Sequence, residues 1–246
     1  MPETPPVAPA VVPPMVPPVV PPVVPPVGTT VAALRPAPES EEVPVHRRTI
    51  DIEVFLRDEY FVVIGTLADV RPWASGTLGP RELHRMELAV VVRRADMVIA
   101  DAAADMKTFP HDECTDIEPK FSELVGLSVA RGYTSAVQER FGRERGCSHL
   151  EFLARALGPA VVQSMTSAAA WQVEHGGEYP GGERALGFLS NTCHVFIEGG
   201  AGEQKIATGW RPGMFGYPAP TVAEIRRRIA AGDTGDTGER SPVVEA

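Results

Sequence analysis

The stretch Thr49-Ile-Asp-Ile-Glu-Val-Phe55, followed by Arg57-Asp58-Glu59 and Tyr60-Phe-Val-Val-Ile-Gly-Thr-Leu67, decides the fold. Ile50, Ile52 and Val54 alternate with Asp51 and Glu53, the period-two pattern of a strand with one buried face. Arg57-Asp58-Glu59 reads as a turn, so Tyr60–Leu67 returns beside the first strand, and Gly65 within it suggests a bulge. Working outward, Pro72 to Pro80 is a loop rich in Gly and Pro. Leu83–Val92 and Met97–Ala102 then make a hairpin across Arg94-Ala95-Asp96. The expected result is a four-stranded antiparallel meander with one buried face.

Beyond Cys114 the apolar period becomes helical. Glu118 caps an expected helix with Pro119 at its first position and Phe121, Leu124 and Val125 on one side. Thr134 begins another, with Val137 and Phe141 inward and Gly142 as its stop. A third begins at Ser148, with a break or kink at Gly158-Pro159 before it runs on towards Trp171. Val195–Ile197 reads as a short late strand, and Thr221 with Glu224 has capping-box spacing at the start of a basic helix, Ile225 to Ala231. Strands first and helices afterwards predict an α+β fold, the helices packed on one face of the sheet.

Composition divides the chain into three. Of its 25 prolines, 15 fall in residues 1–45, where Pro13–Val27 repeats every four residues as a polyproline II pattern about 45 Å long at ~3.1 Å per residue. This arm cannot pack a core, and it reads either as a disordered spacer or as a ligand for a proline-recognising protein partner. Residues 46–232 form the expected single domain, and residues 233–246 an acidic disordered tail. The net charge of −9 splits into −3 for each of the three segments, so no basic surface points to nucleic acid or to anionic membranes. No run approaches a membrane span, and the proline pairs interrupt any secretory apolar core. Three widely spaced cysteines then fit reduced thiols in a cytoplasmic protein.

Each of those cysteines has a histidine within three residues: His111/Cys114, Cys147/His149 and Cys193/His194. Thiolate and imidazole are ligands for zinc and iron, and together they also form an activated nucleophile. Cys147 is the best placed, because Ser148 and Glu151 have capping-box spacing that sets the thiol just before a helix N-terminus. His149, at the first helical position, can serve as second ligand or as base. The alternative is a small buried cysteine beside a solvated histidine. Cys193 and His194 face opposite ways in a strand, so only one can join a site, whereas in a loop both can. Cys114 sits in an acidic loop, where a thiolate needs a metal or partner to offset the neighbouring negative charge. There is no C-x-x-C or H-E-x-x-H, so a site has to be assembled from distant loops. His84 at the start of a strand, and Asp101 with Asp105, are the acid–base candidates, though residues of these kinds commonly lie on surfaces.

Residues 46–215 resemble a large bacterial family classed as a domain of unknown function. The resemblance rests on Arg48-Thr49-Ile50-Asp51, Gly65-Thr66-Leu67-Ala68-Asp69, His84, Ile99-Ala100-Asp101-Ala102, Leu124-Val125-Gly126-Leu127, Gly146-Cys147-Ser148-His149-Leu150 and Cys193-His194. The GC-S-HL segment is its most specific part, and the resemblance implies one intact domain. Cys114, Gly146-Cys147 and Cys193-His194 also resemble, in order, the cysteines of NifU-like iron–sulfur scaffold proteins, with the last pair reversed. That resemblance implies a metal or cluster on the three thiols.

Three functions follow as expectations. The first is a site binding zinc or an iron–sulfur cluster through Cys114, Cys147 and Cys193, completed by His149 or His194, and acting on a small molecule. The second is a metal-free enzyme with Cys147 as nucleophile or His84 as general base. The third is an adaptor recruited through its proline-rich arm.

Overall fold

Four antiparallel strands, β1 (Arg47–Arg57), β2 (Tyr60–Val70), β3 (Glu82–Arg93) and β4 (Val98–Thr108), pair in the order β1-β2-β3-β4. The expected meander is present, each strand longer than its apolar run because polar residues continue the ladder at the ends. Alternation sets the inner face. Phe61, Val63 and Leu67 of β2 are buried with Met86, Leu88, Val90 and Val92 of β3 and Ile99 and Met106 of β4. The turn at Asp58 takes a positive φ of 48°, as does Met97 at 60° in the second hairpin, so Met97 lies in the turn and β4 begins one residue later.

The computed structural model describes residues 30–36, 41–77, 79–177, 189–211 and 213–235. It divides into two units, Met1–Val43 and Pro44–Ala246. Among its described residues the first contains one short helix, α1 (Val31–Leu34). The repeat at 13–27 lies outside the described residues, as do residues 236–246.

After the sheet, residues Asp112–Leu124 wind as 3-10 turns, where the sequence predicts an α-helix starting at Glu118. Pro119 withholds an amide inside this segment, and Glu118 accepts the Met106 N–H at 2.6 Å, so it ties the segment to β4 and caps no helix. Phe121 and Leu124 are buried as expected, but Val125 is exposed. Helix α2 (Tyr133–Phe141) buries Val137 and Phe141 and ends at Gly142. Helix α3 (Ser148–Glu174) runs through Pro159 without interruption. Its N-cap is Cys147, one residue before the expected Ser148, and the Glu151 N–H donates to the Cys147 carbonyl at 2.8 Å. Glu151 pairs with Arg155 at 2.9 Å, and no side chain caps this N-terminus. The predicted strand Val195–Ile197 is a run of turns and bends. Helix α4 (Ala201–Ala207) and helix α5 (Val222–Ala230) follow, the latter capped by Thr221, which accepts from the Glu224 N–H at 3.3 Å. Among the described residues, no helix is long and apolar enough to cross a membrane.

Gly65 explains how α3 reaches the sheet. It is no bulge: the ladder runs evenly through Ile52↔Gly65 and Gly65↔Leu88, and the irregularity falls between Asp69 and Val70. A Cβ at Gly65 would stand 2.8 Å from Leu157 Cδ2 and 3.0 Å from Leu153 Cδ1, both fully buried. The missing side chain lets α3 seat directly on β2. At the other side of α3, a Cβ on Gly158 would meet the Tyr133 ring at 2.6 Å, so α2 packs equally close. Gly65→Val should therefore lift α3 and cost about 2 kcal/mol by overpacking, measured by urea denaturation. A variant as stable as the wild type would contradict this seating.

Candidate functional site

The inner face is apolar until its last row. There Arg48 pairs with Asp69 in the β1–β2 register and Asp69 with His84 in the β2–β3 register. Residues directly opposite on neighbouring strands share a face, so one acid stands between a guanidinium and an imidazole. Helix α3 crosses this end of the sheet and its first turn adds His149. His46, just before β1, completes the ring.

Every partner converges on one carboxylate. Asp69 is 1% exposed. Arg48 grips it with two short bonds, Nε to Oδ1 and Nη2 to Oδ2, both 2.7 Å. His46 Nε2 lies 3.2 Å from Oδ1. His84 Nδ1 and His149 Nε2 lie 3.3 and 3.2 Å from Oδ2. The two rings face each other with centroids 3.9 Å apart. The hydrogen bonds from Arg48 hold the Asp69 carboxyl down at about 2, against the opposing effect of burial. Burial, and then the neighbouring His84, push His149 below its usual value, against the opposing pull of Asp69.

Oδ2 is oversubscribed. A carboxylate oxygen offers two lone-pair sites, and Arg48 Nη2 occupies one. Two imidazole nitrogens compete for the other, and His84 Nδ1 is left buried without a hydrogen bond among the described residues. A cation between the three atoms would relieve the crowding, since the oxygen and both nitrogens could then all present lone pairs to it. Asp69, His84 and His149 are also the only group of three or more potential ligands that converges among the described residues, their atoms all within 4.8 Å.

The sequence-derived candidates divide. His84 and His149 meet here, and Cys147 lies beside them with Sγ 3.8 Å from His149 Nδ1. Cys114, Cys147 and Cys193 form no converging group. Cys114 is half-buried against the core, near the exposed His111. Cys193 and His194 are both exposed in turns. Asp101 bonds the Ala102 N–H and Asp105 pairs with Lys107, both exposed and outside the site. Sequence reasoning missed Asp69, Arg48 and His46 as site residues. A signal was present: Asp69 continues the buried phase of Phe61, Val63 and Leu67, and Arg48 the phase of Ile50, Ile52 and Val54.

Residues 46–163 match the family model described as Protein of unknown function (DUF2889), a span that holds every residue of this site. No curated protein and no solved structure matches the chain.

Because the folded-state pKa of Asp69 is depressed, its contribution to stability is complete above the unfolded value near 4 and fades as pH falls towards about 2. Arg48→Gln leaves a buried carboxylate without its cation, so it should cost about 3 kcal/mol at pH 6, measured by denaturation in a chelator. The gap between variant and wild type should close as pH approaches 2. A gap independent of pH would show that Arg48 acts through packing alone.

Proposed function

We propose that this protein binds one divalent transition-metal ion through Asp69 Oδ2, His84 Nδ1 and His149 Nε2, and presents it to a small molecule. The crowding at Oδ2 carries this reading. Three ligands each ~2.1 Å from one ion stand roughly 3.0–3.4 Å apart in octahedral or tetrahedral geometry. The separations from Oδ2 are 3.2 and 3.3 Å. Two imidazoles and a carboxylate suit zinc or iron(II), and a set of only three protein ligands keeps positions open for substrate. The donors are nitrogen and oxygen, so the site fits a single ion and not the thiolate-held cluster expected from the cysteines.

The surrounding residues fit the supporting roles. Arg48 and His46 occupy the other lone pairs of Asp69 and orient it. Cys147 faces His149 Nδ1; a proton there directs the Nε2 lone pair at the ion. When bound, the ion supplies Lewis-acid polarisation of a substrate oxygen or of water.

A second reading is favoured by one observation. Cys147 Sγ, His149 and Asp69 stand in the order thiol, imidazole, carboxylate, with gaps of 3.8 and 3.2 Å. That is the arrangement of a nucleophile, its base and an orienting acid. Elemental analysis and cobalt(II) titration of the full chain separate the two. The metal reading expects about one ion per chain, with affinity lowered about 100-fold or more in His84→Ala and His149→Ala, and up to about tenfold in Cys147→Ala. No stoichiometric binding of zinc, iron(II), cobalt, nickel or manganese, with fast alkylation of Cys147 that His149→Ala abolishes, would overturn it in favour of the thiol.

A further inference from the structure

We infer that the molecule taken by this site is an oxyanion, a carboxylate or phosphoryl group held jointly by the ion and by Arg48; this rests on the metal reading above. The guanidinium has five N–H donors in two forks. Its side-on fork, Nε with Nη2, is spent on Asp69. Its end-on fork, Nη1 with the second Nη2 hydrogen, has no partner among the described residues.

That fork shares Nη2 with the pair that holds Asp69, so one of its donors starts close to the ion's position. Nη2 is 2.7 Å from Oδ2, and an ion sits ~2.1 Å from the same oxygen, which puts the two within roughly 5 Å of each other. An anion that places one oxygen on the ion brings its second oxygen within reach of the fork. The second oxygen then accepts a charge-assisted hydrogen bond from the guanidinium, roughly twice as strong as a neutral one, so a head group needs two oxygens to use the ion and the arginine together.

Charge and access agree. Asp69 is already neutralised by Arg48, and the nearby Glu151 is paired with Arg155, so an ion adds positive charge that nothing in the site offsets. The opening is on the Arg48 side, where the Arg48 and His46 side chains are 36% and 48% exposed against 19% for His84 and His149. Phe152, itself exposed, lies under the Arg48 guanidinium with its centroid 5.9 Å from Cζ, and Arg155 flanks the same ring at 5.8 Å. Stacking on the ring leaves the guanidinium edges free to bind and offers an apolar wall to the carbon part of a ligand.

Visible spectra of the cobalt(II)-loaded full chain test this, with acetate, inorganic phosphate, chloride and neutral acetamide as probes. Acetate or phosphate should shift the cobalt bands at millimolar concentration, the tighter of the two identifying the head group, and acetamide should not. Arg48→Lys keeps a cation against Asp69 but has no fork. In it, acetate or phosphate binding should weaken about tenfold or more, while chloride, whose single atom binds the ion and leaves nothing for the guanidinium, changes little. Cobalt bands that ignore both oxyanions, or respond equally to acetamide, overturn the inference and leave the metal reading standing. Equal losses for chloride and acetate in Arg48→Lys overturn it too. If Arg48→Lys fails to fold, the wild-type comparison of acetate with acetamide decides alone. A chain that takes up no cobalt overturns both readings.

Discussion

A carboxylate with 1% exposure at the end of an apolar sheet face is the constraint around which the rest of the domain is arranged. An isolated buried charge costs many kcal/mol, so Asp69 is tolerable only where cationic and polar groups surround it. Arg48 supplies the main compensation from β1, and His84 stands on the opposite flank from β3. This row also ties down the register. A slip of one residue in either pairing would turn a partner to the outer face and strand the acid. The same row that closes the apolar core thus creates the polar site.

Helix α3 joins the two functions of the domain. Leu153 and Leu157 press into the space left by Gly65, and Leu150, Ala154 and Val161 complete the buried side of the helix. One turn nearer its start, the same helix delivers His149 to Asp69 and sets Cys147 behind it. Because core packing determines the height of the helix above β2, it also determines how far His149 Nε2 stands from Oδ2. Asp69, His84 and His149 are borne on strands and on a first helical turn and not on loops, which favours a fixed geometry. The outer side of this polar end, by contrast, stays open to solvent around His46, Arg48 and Phe152.

Much of this was legible in the sequence. The alternation in Thr49–Phe55 and Tyr60–Leu67 gives the meander, and the Cys147-Ser148-His149 entry places a thiol and an imidazole at a helix start. His84 was legible as an acid–base candidate. Asp69 was not, because the predicted strand stops at Leu67, whereas β2 continues three residues further and carries Asp69 in the same phase. Gly65 was misread because a glycine in a strand signals a bulge or a close approach alike, and only the neighbouring helix tells which. The Cys/His pairing drew attention to Cys114 and Cys193, whose nearness in sequence to a histidine carries no information about distance across the fold.

What the sequence by itself determined is periodic and local: four strands, their order, the inward-facing residues, and the helix caps and stops at Thr221 and Gly142. These depend on neighbours a few positions apart, whose spacing the chain writes directly. The tertiary structure alone decided which polar residues meet. Arg48, Asp69, His84 and His149 span a hundred positions of chain, and they converge because two strand registers and one glycine-seated helix bring their side chains to the same oxygen. No local pattern encodes that meeting, since it is set by how the elements pack and not by what any one of them contains.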